Sequence, residues 1–123
     1  MESKRQRQVA EMIKRNFGLV LQQEGSYIYE DAFVTVTGVK VTPDLSLAKI
    51  YLSVFNVLNK ESVIVLMEQN NKRLRQALAN RVRRQIRRVP EISFYIDDTL
   101  DEMYRLNQLF DKLHNEKQMG EEE

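Results

Sequence analysis

Cysteine is absent from this 123-residue chain, histidine occurs once, and glycine and proline contribute only four and two residues. Without cysteine there is no disulfide framework, no thiolate metal site and no cysteine nucleophile. The glycines Gly18, Gly25, Gly38 and Gly120 are isolated. A phosphate loop of the form G-x-x-x-x-G-K-[ST] and a G-x-G-x-x-G dinucleotide fingerprint are therefore both missing. No run approaches the roughly 18 apolar residues of a membrane span. The stretch from Met1 to Arg15 is polar, without the apolar core of a signal peptide. The expectation is a cytoplasmic protein with no membrane partner.

What is present suits one domain: 42% of residues are hydrophobic, enough for a single modest core and too little chain for a second, catalytic domain. The formal net charge of +1 conceals an asymmetry. Residues 1–90 hold sixteen Lys/Arg against eight Asp/Glu, whereas residues 91–123 hold three against ten. A basic body followed by an acidic segment points to a polyanion-binding surface.

Apolar residues at Val9, Met12, Ile13, Phe17, Val20 and Leu21 follow helical spacing and predict a first helix from Ser3 to about Glu24, ended by Gly25-Ser26. Phe33 to Val41 is rich in β-branched residues and predicts a strand. Its alternation breaks around Gly38, as a bulge would require. Thr42 to Ser46 has turn chemistry, and Leu47 to Phe55 predicts an antiparallel partner strand with Ile50, Leu52 and Val54 on one face. Asn59 is placed to cap a helical stretch from Lys60 to Arg88, which Asn70-Asn71 should break or kink. Pro90 ends that stretch, and Ile92 to Ile96 predicts a third strand. Thr99 and Glu102 have capping-box spacing and open a last helix with Leu100, Met103, Leu106, Phe110 and Leu113 along one face. The class is thus α+β, in the order α-β-β-α-(kink)-α-β with a C-terminal helix, which matches a type II KH-like domain over residues 1–114. Residues 115–123 are expected to form a disordered acidic tail.

Eight cations, Lys72, Arg73, Arg75, Arg81, Arg83, Arg84, Arg87 and Arg88, fall between positions 72 and 88 with no acidic residue among them. On a helix, Leu74, Leu78, Val82, Ile86 and Val89 would share one face, and Arg73, Arg83, Arg84, Arg87 and Arg88 the opposite one. An ordinary solvated face interleaves Glu with Lys. Unrelieved arginine, with its planar fork of donors, suits phosphate instead. Asp97, Asp98, Asp101 and Glu102 are explained as partners of a helix N-terminus rather than a catalytic or metal cluster. His114 reads as a solvent-facing residue, and Tyr51, Tyr95 and Tyr104 as packing more than base stacking. The Gly-x-x-Gly loop with which a standard KH domain clamps nucleic acid is missing. A DNA-binding module or an adaptor for an acidic protein would show the same arginine face.

Three segments extend the reading. Arg5-Gln6-Arg7-Gln8-Val9-Ala10-Glu11-Met12-Ile13, the stretch from Val36 to Val54 with Asp44-Leu45 and Ala48-Lys49 in register, and the stretch from Arg87 to Leu100 with its Val89-Pro90-Glu91-Ile92 together resemble the ribosome-binding factor A family. That resemblance implies a KH-like fold in which a helical kink, commonly Ala-x-Gly, replaces the glycine loop. Here Asn70-Asn71-Lys72 stands at that place, a departure from the pattern. It also implies a non-enzymatic factor, without cofactor, catalytic residue or metal, that binds the small ribosomal subunit and its RNA and assists late maturation and end processing of that RNA. Maturation GTPases are candidate partners, and a monomer is expected.

Overall fold

The computed structural model describes residues 2–97. The expected last helix, the tail, His114, Tyr104 and the acidic residues from Asp98 onward lie outside them. Six elements follow in chain order: α1 (Lys4–Tyr29), β1 (Phe33–Val41), β2 (Leu47–Phe55), α2 (Lys60–Gln69), α3 (Asn71–Val82) and β3 (Glu91–Ile96).

A capping box starts α1. Ser3 Oγ accepts from the Gln6 N–H, and Gln6 Oε1 accepts from the Ser3 N–H at 2.8 Å. The far end corrects the sequence-based expectation, because the helix passes through Gly25-Ser26 to Tyr29. One glycine costs a helix only about 1 kcal/mol, and the extra turn brings Ile28 onto the buried stripe. Gly25 is itself buried, and a Cβ there would run into the Tyr29 ring. Glu30, at φ 53°, turns the chain out of the helix.

Both hairpin strands occupy the residues expected of them. They pair antiparallel from Phe33↔Phe55 to Val41↔Ala48, with a register shift between Val36 and Gly38. The shift explains the broken alternation. Val34, Val36, Val39 and Val41 all stand opposite core-facing β2 residues (Val54, Leu52, Ile50 and Ala48) because one extra residue is absorbed at the bulge. In the connecting turn, Asp44 Oδ1 accepts from Thr42 Oγ1 and Ser46 Oγ, both at 2.8 Å, and from the Ser46 N–H at 3.2 Å. The Ser46 hydroxyl, then that of Thr42, holds the Asp44 carboxyl below its usual 3.8.

β3 lies parallel to β2, from Leu47↔Glu91 to Leu52↔Ile96, so the sheet runs β1-β2-β3 and α2 with α3 makes the crossover. Asn59 caps α2 as expected, its Oδ1 accepting from the Glu61 N–H at 3.0 Å. The helical stretch breaks at Asn70, also as expected. It ends six residues early, however: α3 stops at Val82, and Arg83 to Arg88 form turns rather than helix. Continued helix would stack Arg83 on Arg87 and Arg84 on Arg88 at i,i+4, like-charge pairs with no acid to relieve them. The chain must also reverse to start a strand parallel to β2.

The helices cover one face of the sheet. Ile13 and Phe17 of α1, Met67 of α2, and Leu74, Leu78 and Val82 of α3 are fully buried with Ile50 and Leu52. The rings of Phe17 and Phe94 stack at 5.7 Å between centroids. This two-layer α+β arrangement is the type II KH-like fold. Gln6 ties it at one end, its Nε2 donating to Val41 O at 2.8 Å within the buried region. Gln6→Ala therefore leaves a buried carbonyl without its donor and removes half of the capping box. It is expected to lower unfolding free energy by about 1–3 kcal/mol in urea titration, against under about 0.5 kcal/mol for the exposed neighbour Gln8→Ala. Because the folded Asp44 carboxyl is depressed, its stabilisation of the turn is present above pH 3.8 and is lost as pH falls through the lower, folded value. A carboxyl-carbon NMR titration should place the Asp44 midpoint below 3.8.

Candidate nucleic-acid interface

At the kink, the two asparagines turn inward to structural partners. Asn70 Nδ2 donates to Leu66 O at 2.8 Å, closing α2. Asn71 Nδ2 donates to Ile92 O at 2.8 Å and reaches Glu68 Oε2 at 3.2 Å. Glu68 Oε1 in turn accepts from the Phe94 N–H at 3.0 Å, so the edge of β3 is closed by side chains of the kink. Of Asn70, Asn71 and Lys72, only the exposed Lys72 points away from such partners.

The eight cations divide by what already holds them. Arg75 is structural: Nη2 donates to Val89 O at 2.7 Å and Nε to Pro90 O at 3.1 Å. Arg73 joins α3 to α1, with Nη2 2.6 Å from Glu24 Oε2, Nε at 3.0 Å from the same oxygen, and the guanidinium over the Tyr27 ring. Arg83 donates to Asn80 Oδ1 at 2.9 Å, an uncharged partner. Lys72, Arg81, Arg84, Arg87 and Arg88 are exposed and have no hydrogen bond or ion pair among the described residues. Apart from Lys72 at the start of α3, the cations of this run that stay open to a polyanion therefore lie on the last turn of α3 and in the turns after it. The single helical face expected from the sequence is not what the chain builds.

The arginines of this segment offer forked donors to phosphate oxygens. Their backbone is held in place: Val82 O accepts from the N–H groups of Gln85 and Ile86, and Ile86 and Pro90 are buried beneath them. Tyr51 and Tyr95 lie elsewhere, on the sheet face opposite the helices. Their ring centroids are 5.6 Å apart, and Lys40 Nζ stands 5.9 Å from the Tyr51 ring. Asp97 Oδ2 accepts from Thr37 Oγ1 at 2.7 Å, bracing the bulge. No group of His, Cys, Asp or Glu among the described residues could hold a metal. Sequence reasoning missed Arg5 as a member of the basic surface. It shares a cleft with Arg87 and Arg88, and its distance from them along the chain concealed that.

Residues 5–110 match the family model for ribosome-binding factor A. The chain belongs to the ribosome-binding factor A family. It is 34% identical over 113 residues to the ribosome-binding factor A of Cytophaga hutchinsonii, covering 92% of this chain and 85% of that one. The crystal structure of ribosome-binding factor A from Thermus thermophilus superposes with a TM-score of 0.63 at 24% identity, over 74% of this chain and 94% of that one. A homology model of the Thermus thermophilus ribosome-binding factor A, fitted into a cryo-electron microscopy map of a complex of the 30S subunit with ribosome-binding factor A, gives 0.58 at 27% identity, over 72% and 90%.

The division of the arginines has a direct consequence for stability. Arg75→Ala removes donors from two backbone carbonyls and should cost about 1–3 kcal/mol in chemical denaturation. Arg84→Ala, exposed and without a partner among the described residues, should change stability by less than about 0.5 kcal/mol.

Proposed function

We propose that this protein is a non-enzymatic assembly factor that binds the small ribosomal subunit through its RNA. Arg81, Arg83, Arg84, Arg87 and Arg88 form the main contact surface and Lys72 an outlying one. The observation that carries the reading is the density of exposed guanidinium groups between positions 81 and 88, with no carboxylate paired to any of them among the described residues. Family membership and the 30S complex of the Thermus thermophilus relative support the choice of RNA over DNA or an acidic protein. Each phosphate neutralised should contribute about 0.7–0.9 to the slope of log affinity against log salt.

On this reading the factor assists late maturation and end processing of small-subunit RNA, acts in the cytoplasm as a monomer, and hands particles to steps in which maturation GTPases take part. It has no hydrolytic activity of its own. Residues 1–114 form the binding unit. The acidic segment 115–123 tempers binding to unrelated RNA through screened repulsion, which reaches about 8 Å at physiological salt.

Charge reversal at Arg83, Arg84 and Arg87 together to Glu is expected to abolish cosedimentation with small subunits while leaving the urea midpoint near that of the parent. Unchanged cosedimentation would remove this segment as the binding surface. Deleting residues 115–123 should raise affinity for unrelated RNA more than for the subunit in filter binding. Equal ratios would leave those residues without a part in selectivity.

A further inference from the structure

Beyond the C-terminal end of α3, the chain segments around Arg5, the β1–β2 turn and residues 85–90 enclose a cleft of about 470 Å³. Its walls are held by the bonds already described: Gln6 to Val41 O, and Arg75 to Val89 O and Pro90 O. The Glu91 N–H also donates to Ser46 O at 2.9 Å, tying the turn to the start of β3. Leu45, Ile86 and Pro90 give the cleft an apolar floor. Arg5, Arg87 and Arg88 stand at its edges, exposed and without hydrogen bonds or ion pairs among the described residues. Asp44 stands there too, and the hydrogen bonds that close its turn all end on Oδ1, which leaves Oδ2 open to a donor.

An apolar floor, a cationic edge and one placed acceptor are the complements of a nucleotide. The volume falls within the roughly 300–1,000 Å³ of small-ligand sites. Because α1 is already capped by Ser3 and Gln6, its helix end is not the attraction; the guanidinium groups are. We propose that this cleft seats one ribonucleotide of bound RNA. Its phosphate lies on Arg5 and Arg88, its base rests against Ile86 and Leu45, and its sugar 2′-hydroxyl donates to Asp44 Oδ2. A carboxylate repels phosphate and accepts only from donors, so its presence in a cationic cleft favours the sugar that carries a hydroxyl donor over one that lacks it. The inference rests on the reading that the protein binds RNA, and it adds a site that selects RNA over DNA.

The test is amide NMR on the full chain, titrated with a short oligoriboadenylate, its deoxy counterpart of equal length, and inorganic phosphate. The ribo-oligomer should shift Leu45 and Ile86, which phosphate alone should not, and should bind several-fold more tightly than the deoxy-oligomer. Asp44→Asn keeps an acceptor for Thr42 and Ser46 but presents an amide in place of Oδ2. Both oligomers should then bind more tightly as the negative charge is lost, and the ribo preference should fall, because the amide no longer accepts from the 2′-hydroxyl and offers it only a neutral donor. Arg5→Ala should weaken the response at the cleft and spare that at Arg81 and Arg84. Equal binding of the two oligomers to the parent, or a ribo preference undiminished by Asp44→Asn, would overturn the proposal. A response at Arg81 and Arg84 with none at Leu45 or Ile86 would remove the cleft and leave the RNA reading standing. No response anywhere would count against both.

Discussion

The guanidinium of Arg75 sets where the crossover ends. By donating to both Val89 O and Pro90 O, it fixes the start of β3 beside α3. The chain from Val82 to Pro90 must then turn within a short span, since Glu91 has to arrive next to Leu47 for the parallel ladder to begin. Arginine is well suited to the task, because its planar fork meets two successive carbonyls and its charge strengthens both bonds. Between Val82 and Pro90, Ile86 turns into the core, and Arg83, Arg84, Gln85, Arg87 and Arg88 are left facing water. The basic surface is in this sense a by-product of a tight return, with Ile86 anchoring it from below and Arg81, Arg84, Arg87 and Arg88 projecting outward.

Local chemistry made much of the fold legible in the sequence. Both strands of the hairpin, the bulge at Gly38, the Asn59 cap and the break at Asn70 each rest on residues within a few positions of one another, and all are where those residues place them. The two helix ends that differed depend on contacts far along the chain. Gly25-Ser26 resembles a stop signal until the packing of Ile28 is known. The arginines after Val82 continue a helical pattern until the parallel return to β2 is known. The same division holds at the site. The eight cations were visible as a run, but not that Arg75 and Arg73 are held by Val89, Pro90 and Glu24, nor that Arg5 meets Arg87 and Arg88 across the cleft.

The kink shows how the fold departs from glycine-loop nucleic-acid clamps. Asn71 and Glu68 bind β3 with their side chains, so this corner serves to fasten the crossover to the edge of the sheet. On the proposed reading, recognition is correspondingly displaced toward the other end of α3. Positive charge gathers there from segments that are distant in sequence, and an apolar floor accompanies it. A surface of guanidinium groups alone reads charge. One that adds a floor and a carboxylate acceptor can also read the sugar.

The most direct test of the proposed RNA-binding surface is a photocrosslink. A photoreactive side chain placed singly at Gln85, among the arginines, or at Val65, on the exposed face of α2, leaves every cation in place. With purified small subunits, irradiation should attach ribosomal RNA to the protein labelled at position 85 and not to that labelled at 65. Adducts at 65 with none at 85 would contradict the assignment of the turns after α3 as the RNA-binding surface.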